Sequence, residues 1–382
     1  MSSQYFKIFQ NSGDHKHWDK LIEYSAVYPG LDDEFRQRLA NVLAFLKNEL
    51  GKGFLKSSSK NHPINQLISD RIVSSALRLI YLGEFLQDLK KQDCNYDHLL
   101  SKLIKLDKCE KEGIPFIWIS KPFFKSGFHV QFIVEKPDTQ QKHADIKLID
   151  KENGQEVIIE VSRLYSSDKI KDYSKQYNHF SSIISDTPPI LLCTGNQILP
   201  VPEEMMSDYC NKIKQLKNDV IKSMSPKSLS DKYFELVIHP EAPKEGILYQ
   251  SFQGIETSYD FTDRMISNYK IHEEAKQIPE STPGLIYIKT DFLFFLSADI
   301  NTTIAKLEKH IAQYRNLIGL AIYAHIDGDP FRFDFKHEAG HIYKVSQELD
   351  GSTCYFLFVK NNTFCLPCSE LTLSKLENTF IN

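Results

Sequence analysis

Four polar residues that could carry out chemistry together lie on one short stretch of the chain: Asp145, Lys147, Glu160 and Ser162. The dipeptide Asn153-Gly154 separates the first two from the last two. It is a strong signal for a two-residue type I′ turn, because both residue types tolerate a positive φ. Residues 142–165 are therefore predicted to form a β-hairpin that brings the four side chains together.

Counting outward from a two-residue loop predicts the register of this hairpin. Lys147 then lies opposite Glu160, and Asp145 lies opposite Ser162. Side chains alternate between the two faces of a strand, so all four are predicted to project from one face. Directly opposed Cβ atoms are about 4.5–5.5 Å apart, and diagonal neighbours such as Asp145 and Glu160 roughly 7–8 Å. Two carboxylates at that separation, with an ammonium group beside them, could hold one divalent cation.

The composition is that of an ordinary soluble globular protein. Of the 382 residues, 41% are hydrophobic and 25% are charged, and the formal net charge is −4. This mild charge gives no overall electrostatic case for binding nucleic acid or an anionic membrane. No apolar run approaches the roughly 18 residues that would suggest a membrane span, and the N-terminus lacks the apolar segment of a signal peptide. The seven scattered cysteines favour a reducing compartment, so the protein is expected to be cytoplasmic.

The hydrophobic pattern predicts helices first, then strands, and then helices that alternate with strands. The elements around the hairpin are expected in this order: a helix at 63–89, a short apolar strand at 114–120, strands at 128–135, 144–150 and 156–163, a helix at 169–184 and a strand at 190–194. This order indicates an α/β fold with a mixed β-sheet flanked by helices, a helical N-terminal region and a β-rich C-terminal part. Three regions are predicted: 1–110, whose helix 63–89 contributes to the core, 111–245 and 246–382.

With Asp145 and Glu160 on adjacent strands, this order of elements resembles the PD-(D/E)XK nuclease superfamily, the restriction-endonuclease-like proteins, as a divergent member. That family has an α-β-β-β-α-β core, in which an Asp heads the second strand and the (D/E)XK acid and lysine lie on the third. Asp145 takes the place of the family Asp, and Glu160 takes that of the second acid. Ser162 occupies the lysine position, so the motif reads E-V-S, and Lys147 could supply the ammonium group from the neighbouring strand.

The resemblance implies a divalent-metal-dependent nuclease that hydrolyses nucleic-acid phosphodiester bonds with Mg²⁺ (or Mn²⁺) as its cofactor. It implies that Asp145 and Glu160 bind the metal, with the backbone carbonyl of Val161 as a further ligand. Glu84 is the candidate for the helix acid that often assists, and Gln176 follows the third strand where some members carry a Gln near the site. Nucleic acid, DNA or RNA, is the expected partner and a membrane is not, while a homodimer or a protein partner stays open.

Two other functions fit parts of the sequence. Because Ser162 replaces the family lysine, the chain could be a catalytically inactive nuclease-fold protein that serves as a scaffold or binding module in a larger assembly. An HExxH motif, with His337 and His341 as ligands and Glu338 as general base, would indicate a zinc metallopeptidase if it lay on a helix. The residues around this motif alternate with strand period, so it is predicted to lie at a hairpin tip.

Overall fold

The computed structural model describes the chain over these segments: residues 16–70, 72–134, 144–164, 168–185, 192–240, 258–267, 270–291, 293–296, 300–327, 340–347 and 352–381. These residues fall into two compact units. The first unit lies within Met1–Leu164, Thr262–Phe292 and Asp299–Asn382, and the second within Tyr165–Phe261 and Leu293–Ala298. In the described segments, no helix combines the length and the apolar composition needed to cross a lipid bilayer.

The N-terminal part of the first unit is helical, as the sequence predicts. Its helices are α1 (Trp18–Ser25), α2 (Asp33–Leu50), α3 (Pro63–Ser69), α4 (Val73–Lys90), α5 (Tyr96–Ile104) and α6 (Ile114–Lys125), with short helical turns at Phe54–Ser57, Leu106–Lys108 and Cys109–Gly113. The single helix expected at 63–89 is divided at Asp70, which is extended and accepts a hydrogen bond from Ser75 Oγ at 2.8 Å. The apolar run at 114–120, expected as a strand, belongs to α6.

A seven-stranded mixed sheet forms the centre of the first unit, which confirms the predicted α/β class. Its strands are β1 (Phe128–Phe132), β2 (Ile146–Asp150), β3 (Glu156–Arg163), β7 (Gly284–Lys289), β8 (Leu317–Asp327), β9 (Ile342–Gln347) and β10 (Ser352–Lys360). Their order in the sheet is β1-β2-β3-β7-β8-β10-β9. Strands β1 to β3 form an antiparallel meander, β3, β7 and β8 are parallel, and β8, β10 and β9 are antiparallel.

The second unit has its own sheet and its own core. Its elements are α7 (Asp168–Ser185), β4 (Leu192–Gln197), α8 (Met206–Ser223), β5 (Lys227–Ser230) and β6 (Phe234–His239), and its strand order is β4-β6-β5. Phe180, Tyr209 and Phe234 pack together in its interior with ring centroids 5.0–5.5 Å apart. Aromatic burial of this kind gives the unit a hydrophobic centre separate from that of the large sheet.

The longer of the remaining helices are α9 (Ser258–Ser267), α10 (Lys270–Ala275), α11 (Ile300–Ile311) and α12 (Glu370–Ile381), with short helical turns at Glu203–Met205 and Leu293–Leu296. The alternation of β3 shows how the two faces of the large sheet differ. Val157 and Ile159 belong to the core that the N-terminal helices cover, whereas Glu160 and Ser162 project from the opposite face. Glu160 and Ser162 therefore lie on the face that does not carry the N-terminal helical layer.

The strand that completes the core is not the one expected. The strand at 190–194 was expected to be the last element of the core, but β4 belongs to the three-stranded sheet of the second unit. Instead β7 pairs with β3 in parallel, and α10 is the helix that directly precedes it. The prediction failed because it took the next helix and strand along the chain, and the second unit is inserted at that point.

The hairpin is present, but its loop is longer than predicted and its register differs. Ile146 pairs with Ile159, and Lys147 pairs with Ile158 instead of Glu160. Four residues, 151–154, form the loop, and among the hairpin residues only Gly154 has a positive φ, +74°. A type I′ turn would also need a positive φ at Asn153. Asn153 instead accepts a hydrogen bond from the Gln155 N–H at 2.8 Å, an Asx turn that stabilises the longer loop.

A C-terminal helix holds this loop in place. Asp150 is fully buried, and its carboxylate accepts hydrogen bonds from Thr372 Oγ1 and from Lys375 Nζ, both at 2.7 Å. Asn153 Nδ2 donates to Ser369 Oγ at 2.8 Å. Burial raises the pKa of Asp150, but the bonds from Lys375 and Thr372 outweigh this effect and hold that pKa below its usual value. The charged carboxylate thus links β2 to α12.

We expect Asp150→Asn to lower the free energy of unfolding by about 2–3 kcal/mol at pH 7, because it leaves a buried donor group without its charged acceptor. A depressed carboxyl pKa contributes stability above the unfolded value, and this is lost as pH falls through the folded value. The difference between parent and variant should therefore shrink below about pH 4. Urea unfolding at several pH values measures this difference in the free energy of unfolding.

The control is Asp88→Asn, since Asp88 forms an exposed ion pair with Lys91. This change should lower the free energy of unfolding by about 0.5 kcal/mol or less. Equal losses in both variants would contradict a role for burial.

Candidate active site

Asp145 and Glu160 lie side by side where β2 begins and β3 approaches its end. The Asp145 N–H donates to the Ile159 carbonyl at 3.2 Å, and the Val161 N–H donates to Asp145 Oδ2 at 2.9 Å. Because Ile146 pairs with Ile159, the next position outward sets Asp145 directly opposite Glu160. The two acids are thus closer neighbours than the diagonal pair that the sequence analysis expected.

A third acid from α10 joins this pair. Glu274 is 6% exposed and accepts a hydrogen bond from Ser162 Oγ at 2.7 Å, while Glu160 is 4% exposed and hydrogen-bonded to Glu274. Gln277 Nε2 donates to the other oxygen of Glu274 at 2.5 Å. Among the described residues no donor reaches Glu160 Oε2. One buried carboxyl oxygen therefore points into the site without a hydrogen-bond partner, an arrangement that costs free energy.

The three acids differ in the protonation state that their surroundings favour. Burial, together with the nearby charges of Asp145 and Glu274, raises the pKa of Glu160 far above the usual range. Burial also raises the pKa of Asp145, although the hydrogen bond from Val161 opposes it. Burial acts in the same direction on Glu274, but Lys270 and Ser162 outweigh it and lower that pKa. These shifts favour a proton on Glu160 and a negative charge on Glu274.

Two ammonium groups flank the acids. Lys270 Nζ lies 2.5 Å from Glu274 Oε1, one helical turn away on α10, and its charge also lowers the pKa of Glu160. On the other side, the buried Lys102 is paired with Glu112 and lies 5.1 Å above the ring of Phe116, and its charge lowers the pKa of Asp145. Lys270 is thus the lysine whose charge reaches the acid of the E-V-S motif.

Lys147 does not occupy the position that the predicted register gave it. Its Cα partner is Ile158, and its ammonium group forms an ion pair with Glu156 Oε1 at 3.0 Å. The four-residue loop moves Lys147 two positions along β3 while keeping it on the same face, because side chains alternate with period two. The expectation that it lies opposite Glu160 is wrong, and the reason is the length of the turn.

The other candidate residues lie in separate surroundings. Glu84 forms a two-point ion pair with Arg38, with distances of 2.7 and 2.8 Å, on the N-terminal helices. Gln176 belongs to the second unit, where its amide donates to the Val201 carbonyl at 2.8 Å and accepts from Gln197 Nε2 at 3.0 Å. Each side chain therefore has hydrogen-bond partners of its own.

Only part of the HExxH motif falls within the described residues. His337 and Glu338 lie outside them. His341 is buried directly before β9, and its Nδ1 accepts the Lys360 N–H at 3.1 Å. Gly340 has a φ of +81°, which agrees with a turn immediately before this strand. The metallopeptidase hypothesis gains no support from the described part of the motif.

Sequence reasoning missed Glu274 and Lys270. Both lie on a short helix that ends shortly before the apolar strand β7, and a helix of this kind is the usual connection between two parallel strands. The pattern at residues 270–288 indicates a helix followed by a strand, but it does not place the helix beside Ser162, because more than a hundred residues separate Ser162 from its hydrogen-bond partner Glu274.

The donor atoms of the site suit a hard divalent cation. Carboxylate oxygens are the ligands that Mg²⁺ prefers, and it is commonly held by only one or two carboxylates, with water and substrate completing its shell. Asp145 and Glu160 supply such a pair, and Glu160 Oε2 is a buried oxygen without a donor. Within the described segments, no group of three or more His, Cys, Asp or Glu side chains is arranged to hold a metal ion.

We expect Glu160→Gln to be more stable than the parent protein when divalent ions are chelated. A carboxyl group whose pKa is raised by folding keeps a proton that the unfolded chain releases, so stability falls as pH rises above the unfolded pKa of about 4.3. The amide side chain of the Glu160→Gln variant stays neutral at every pH, so the variant does not lose stability in this way as pH rises. Urea unfolding should show a gain of about 1–3 kcal/mol at pH 8 that diminishes towards pH 5.

Glu156→Gln is the matched control, since Glu156 is an exposed acid on the same strand. Its stability should differ from that of the parent by about 0.5 kcal/mol or less. A Glu160→Gln variant that is less stable than the parent at every pH would show that Glu160 is charged in the folded protein.

Comparison with known proteins gives no family for this chain: no family model, no curated protein and no solved structure matches it significantly.

Proposed function

We propose that the protein is a divalent-metal-dependent nuclease that hydrolyses phosphodiester bonds of nucleic acid. The observation that carries this proposal is the pairing of Asp145 with Glu160, whose Oε2 is buried and lacks a donor among the described residues. Two adjacent carboxylates at the end of a sheet are a ligand set that a protein uses for a catalytic Mg²⁺ or Mn²⁺ ion. A buried proton on one of them is what a metal ion would displace.

The topology around the acids supports the proposal. The meander β1-β2-β3 is followed, after the inserted second unit, by α10 and by β7, which lies parallel to β3. With a preceding helix, this is the α-β-β-β-α-β order that the resemblance to the PD-(D/E)XK nucleases implies. The two acids occupy the start of its second strand and the third strand, where that family carries its metal ligands.

In this proposal the chain's own residues have distinct roles. Asp145 and Glu160 would hold the metal, with the Val161 carbonyl as a further ligand, and the bound ion would activate water and neutralise phosphate charge. Ser162 does not carry charge but donates to Glu274, which in turn holds Lys270. Lys270 thereby supplies, from the crossover helix, the ammonium group that β3 lacks.

The protonation of Glu160 makes metal binding depend on pH. A carboxyl group must lose its proton before it can bind a metal ion, so binding releases protons. Burial beside Asp145 and Glu274 raises the pKa of Glu160, and deprotonation therefore becomes easier as pH increases. Affinity for Mg²⁺, and activity at limiting Mg²⁺, should both rise with pH across the neutral range.

One observation favours a second candidate, a catalytically inactive nuclease-fold protein that binds nucleic acid or a protein partner. Position 162 carries a hydroxyl group, and that group is engaged with Glu274 instead of facing a substrate. Such a protein would retain the fold and lose the cleavage step.

Cleavage of plasmid DNA and of labelled single-stranded DNA and RNA in Mg²⁺ or Mn²⁺ tests the proposal. Asp145→Asn and Glu160→Gln should each reduce the rate by about 100-fold or more, because each removes a charged metal ligand. Glu156→Gln should cleave at the parental rate. Because Glu160→Gln is expected to be the more stable protein, its loss of activity cannot come from unfolding. If the parent cleaves none of these substrates in either metal yet still binds nucleic acid, the inactive binding protein is the correct assignment.

A separate set of variants identifies which lysine supplies the ammonium group for catalysis. Lys270→Met should lower kcat by about 10–100-fold, and Lys270→Arg should restore part of it, because the charge beside Glu274 is kept. Lys276→Met, which removes an exposed lysine near the end of the same helix, is the control and should leave kcat unchanged. Lys147→Ala decides between the two lysines: a large loss there, with none in Lys270→Met, would favour the ammonium group on β2.

A further inference from the structure

Two histidines meet a tyrosine where α10 approaches the end of α11. His272 Nδ1 on α10 is hydrogen-bonded to Tyr314 Oη at 2.9 Å. The ring of His310, near the end of α11, packs edge-on against the ring of Tyr314, with ring centroids 6.2 Å apart. All three residues belong to the first unit, and Tyr314 connects the two histidines.

Tyr314 is itself fixed to the large sheet. Its carbonyl oxygen accepts hydrogen bonds from Asn361 Nδ2 at 2.8 Å and from the Leu317 N–H at 3.1 Å. Asn361 is buried and directly follows β10, and Leu317 begins β8. The hydrogen bond between Tyr314 and His272 therefore connects α10 to the ends of two strands.

The hydrogen-bonding partners of His310 suit a neutral ring. Its Nδ1 lies 3.4 Å from the amide nitrogen of Gln313, and that nitrogen also donates to the His310 carbonyl at 2.8 Å, which fixes its orientation. Because an amide nitrogen only donates, Nδ1 is the acceptor and the ring proton lies on Nε2. Nε2 is buried, and no partner for it is found in the described part of the chain. An imidazolium donates from both nitrogens, and here neither nitrogen faces an acceptor.

The charges around His310 also favour its neutral form. Burial lowers the pKa of His310, and the charge of His272 lowers it further. The other charged side chains of α10, α11 and the turn after α11 have partners elsewhere or are exposed: Glu273 pairs with Lys276, Lys306 with Asp263 and Glu308 with His341, while Lys309 and Arg315 are exposed. A proton on His310 thus places a charge in half-buried surroundings without a carboxylate partner among the described residues.

We propose that His310, Tyr314 and His272 form an acid-sensitive contact that holds α10 in place at neutral pH and releases it when His310 takes up a proton. The charged ring has to turn to bring its N–H groups to water. Because the ring of Tyr314 packs against it, this movement displaces the hydroxyl group that binds His272. Lys270 and Glu274 lie on the same helix as His272, so their positions change with it.

The direction of the pH dependence follows from linkage. A histidine whose pKa is lowered by folding contributes stability above its unfolded pKa of about 6.5, and this contribution is lost as pH falls through the folded value. The contact is therefore weakest in mildly acidic solution. The inference concerns the position of α10 and does not rest on the proposed nuclease function. It is tested without metal ions or nucleic acid, so its failure and the failure of that function are distinguishable.

Hydrogen exchange of a peptide that spans α10, followed by mass spectrometry in EDTA near pH 5 and near pH 7.5, tests the contact. Rates are corrected for the effect of pH on chemical exchange. In the parent, the α10 amides should be about fivefold to tenfold less protected near pH 5, as expected for the loss of a hydrogen bond. His310→Gln, which stays neutral, should give equal protection at both pH values. The control is His179→Gln at an exposed histidine of the second unit, which should show the parental loss.

Equal protection of α10 at both pH values in the parent would overturn the proposal, and so would an equal loss in the parent and in His310→Gln. If His310→Gln does not fold, Tyr314→Phe decides, because it removes only the hydroxyl group bound to His272. Weaker protection of α10 in this variant near pH 7.5 supports the contact, and parental protection refutes it. NMR titration of the His310 imidazole in the parent follows the proton itself. A midpoint below the ordinary histidine value of about 6.5 is expected, and a midpoint at or above it would refute the proposal.

Discussion

The parallel pairing of β3 with β7 is the constraint on which the rest of the structure depends. It joins the antiparallel meander to the remaining strands and brings α10 against the end of β3. Because a strand presents alternate residues to its two faces, the same few residues serve two purposes. Glu160 and Ser162 meet Glu274 on one face, while Arg163 meets Lys289 on the other. One strand end thus concentrates negative groups on one side and positive groups on the other.

Burial determines how each group of charges behaves. Burial and the neighbouring acids raise the pKa of Glu160, and Lys270 forms an ion pair with Glu274 at 2.5 Å. On the other face, Arg163 forms an ion pair with Glu110 at 2.7 Å, and burial lowers the pKa of the neighbouring Lys289. Burial therefore raises the pKa of the Glu160 carboxyl and lowers that of the Lys289 ammonium group, which favours the neutral form of each.

The sequence predicted the fold class and the strands of the hairpin, because alternation and turn residues are local signals. It also predicted that Asp145 and Glu160 share a face. It did not predict how close the two acids lie, because their separation depends on the register of the hairpin. The Asx turn of Asn153 and the contact of Asp150 with α12 stabilise that register, and α12 lies more than two hundred residues further along the chain. Glu274 was not predicted as a site residue for a related reason. The inserted second unit separates it from Ser162 in the sequence, and no local pattern marks an insertion.

That insertion also bears on how the protein folds. The residues that pair β3 with β7 are more than a hundred positions apart, so closing the sheet in an unfolded chain carries a large loss of conformational entropy. The second unit has a hydrophobic core of its own and a sheet made from strands close together in the chain, and it can become ordered early. Once folded, it acts as a compact connection that shortens the effective loop between β3 and α10. We therefore expect Glu274 to join the acid pair late in folding, after a segment that supplies none of these residues has folded.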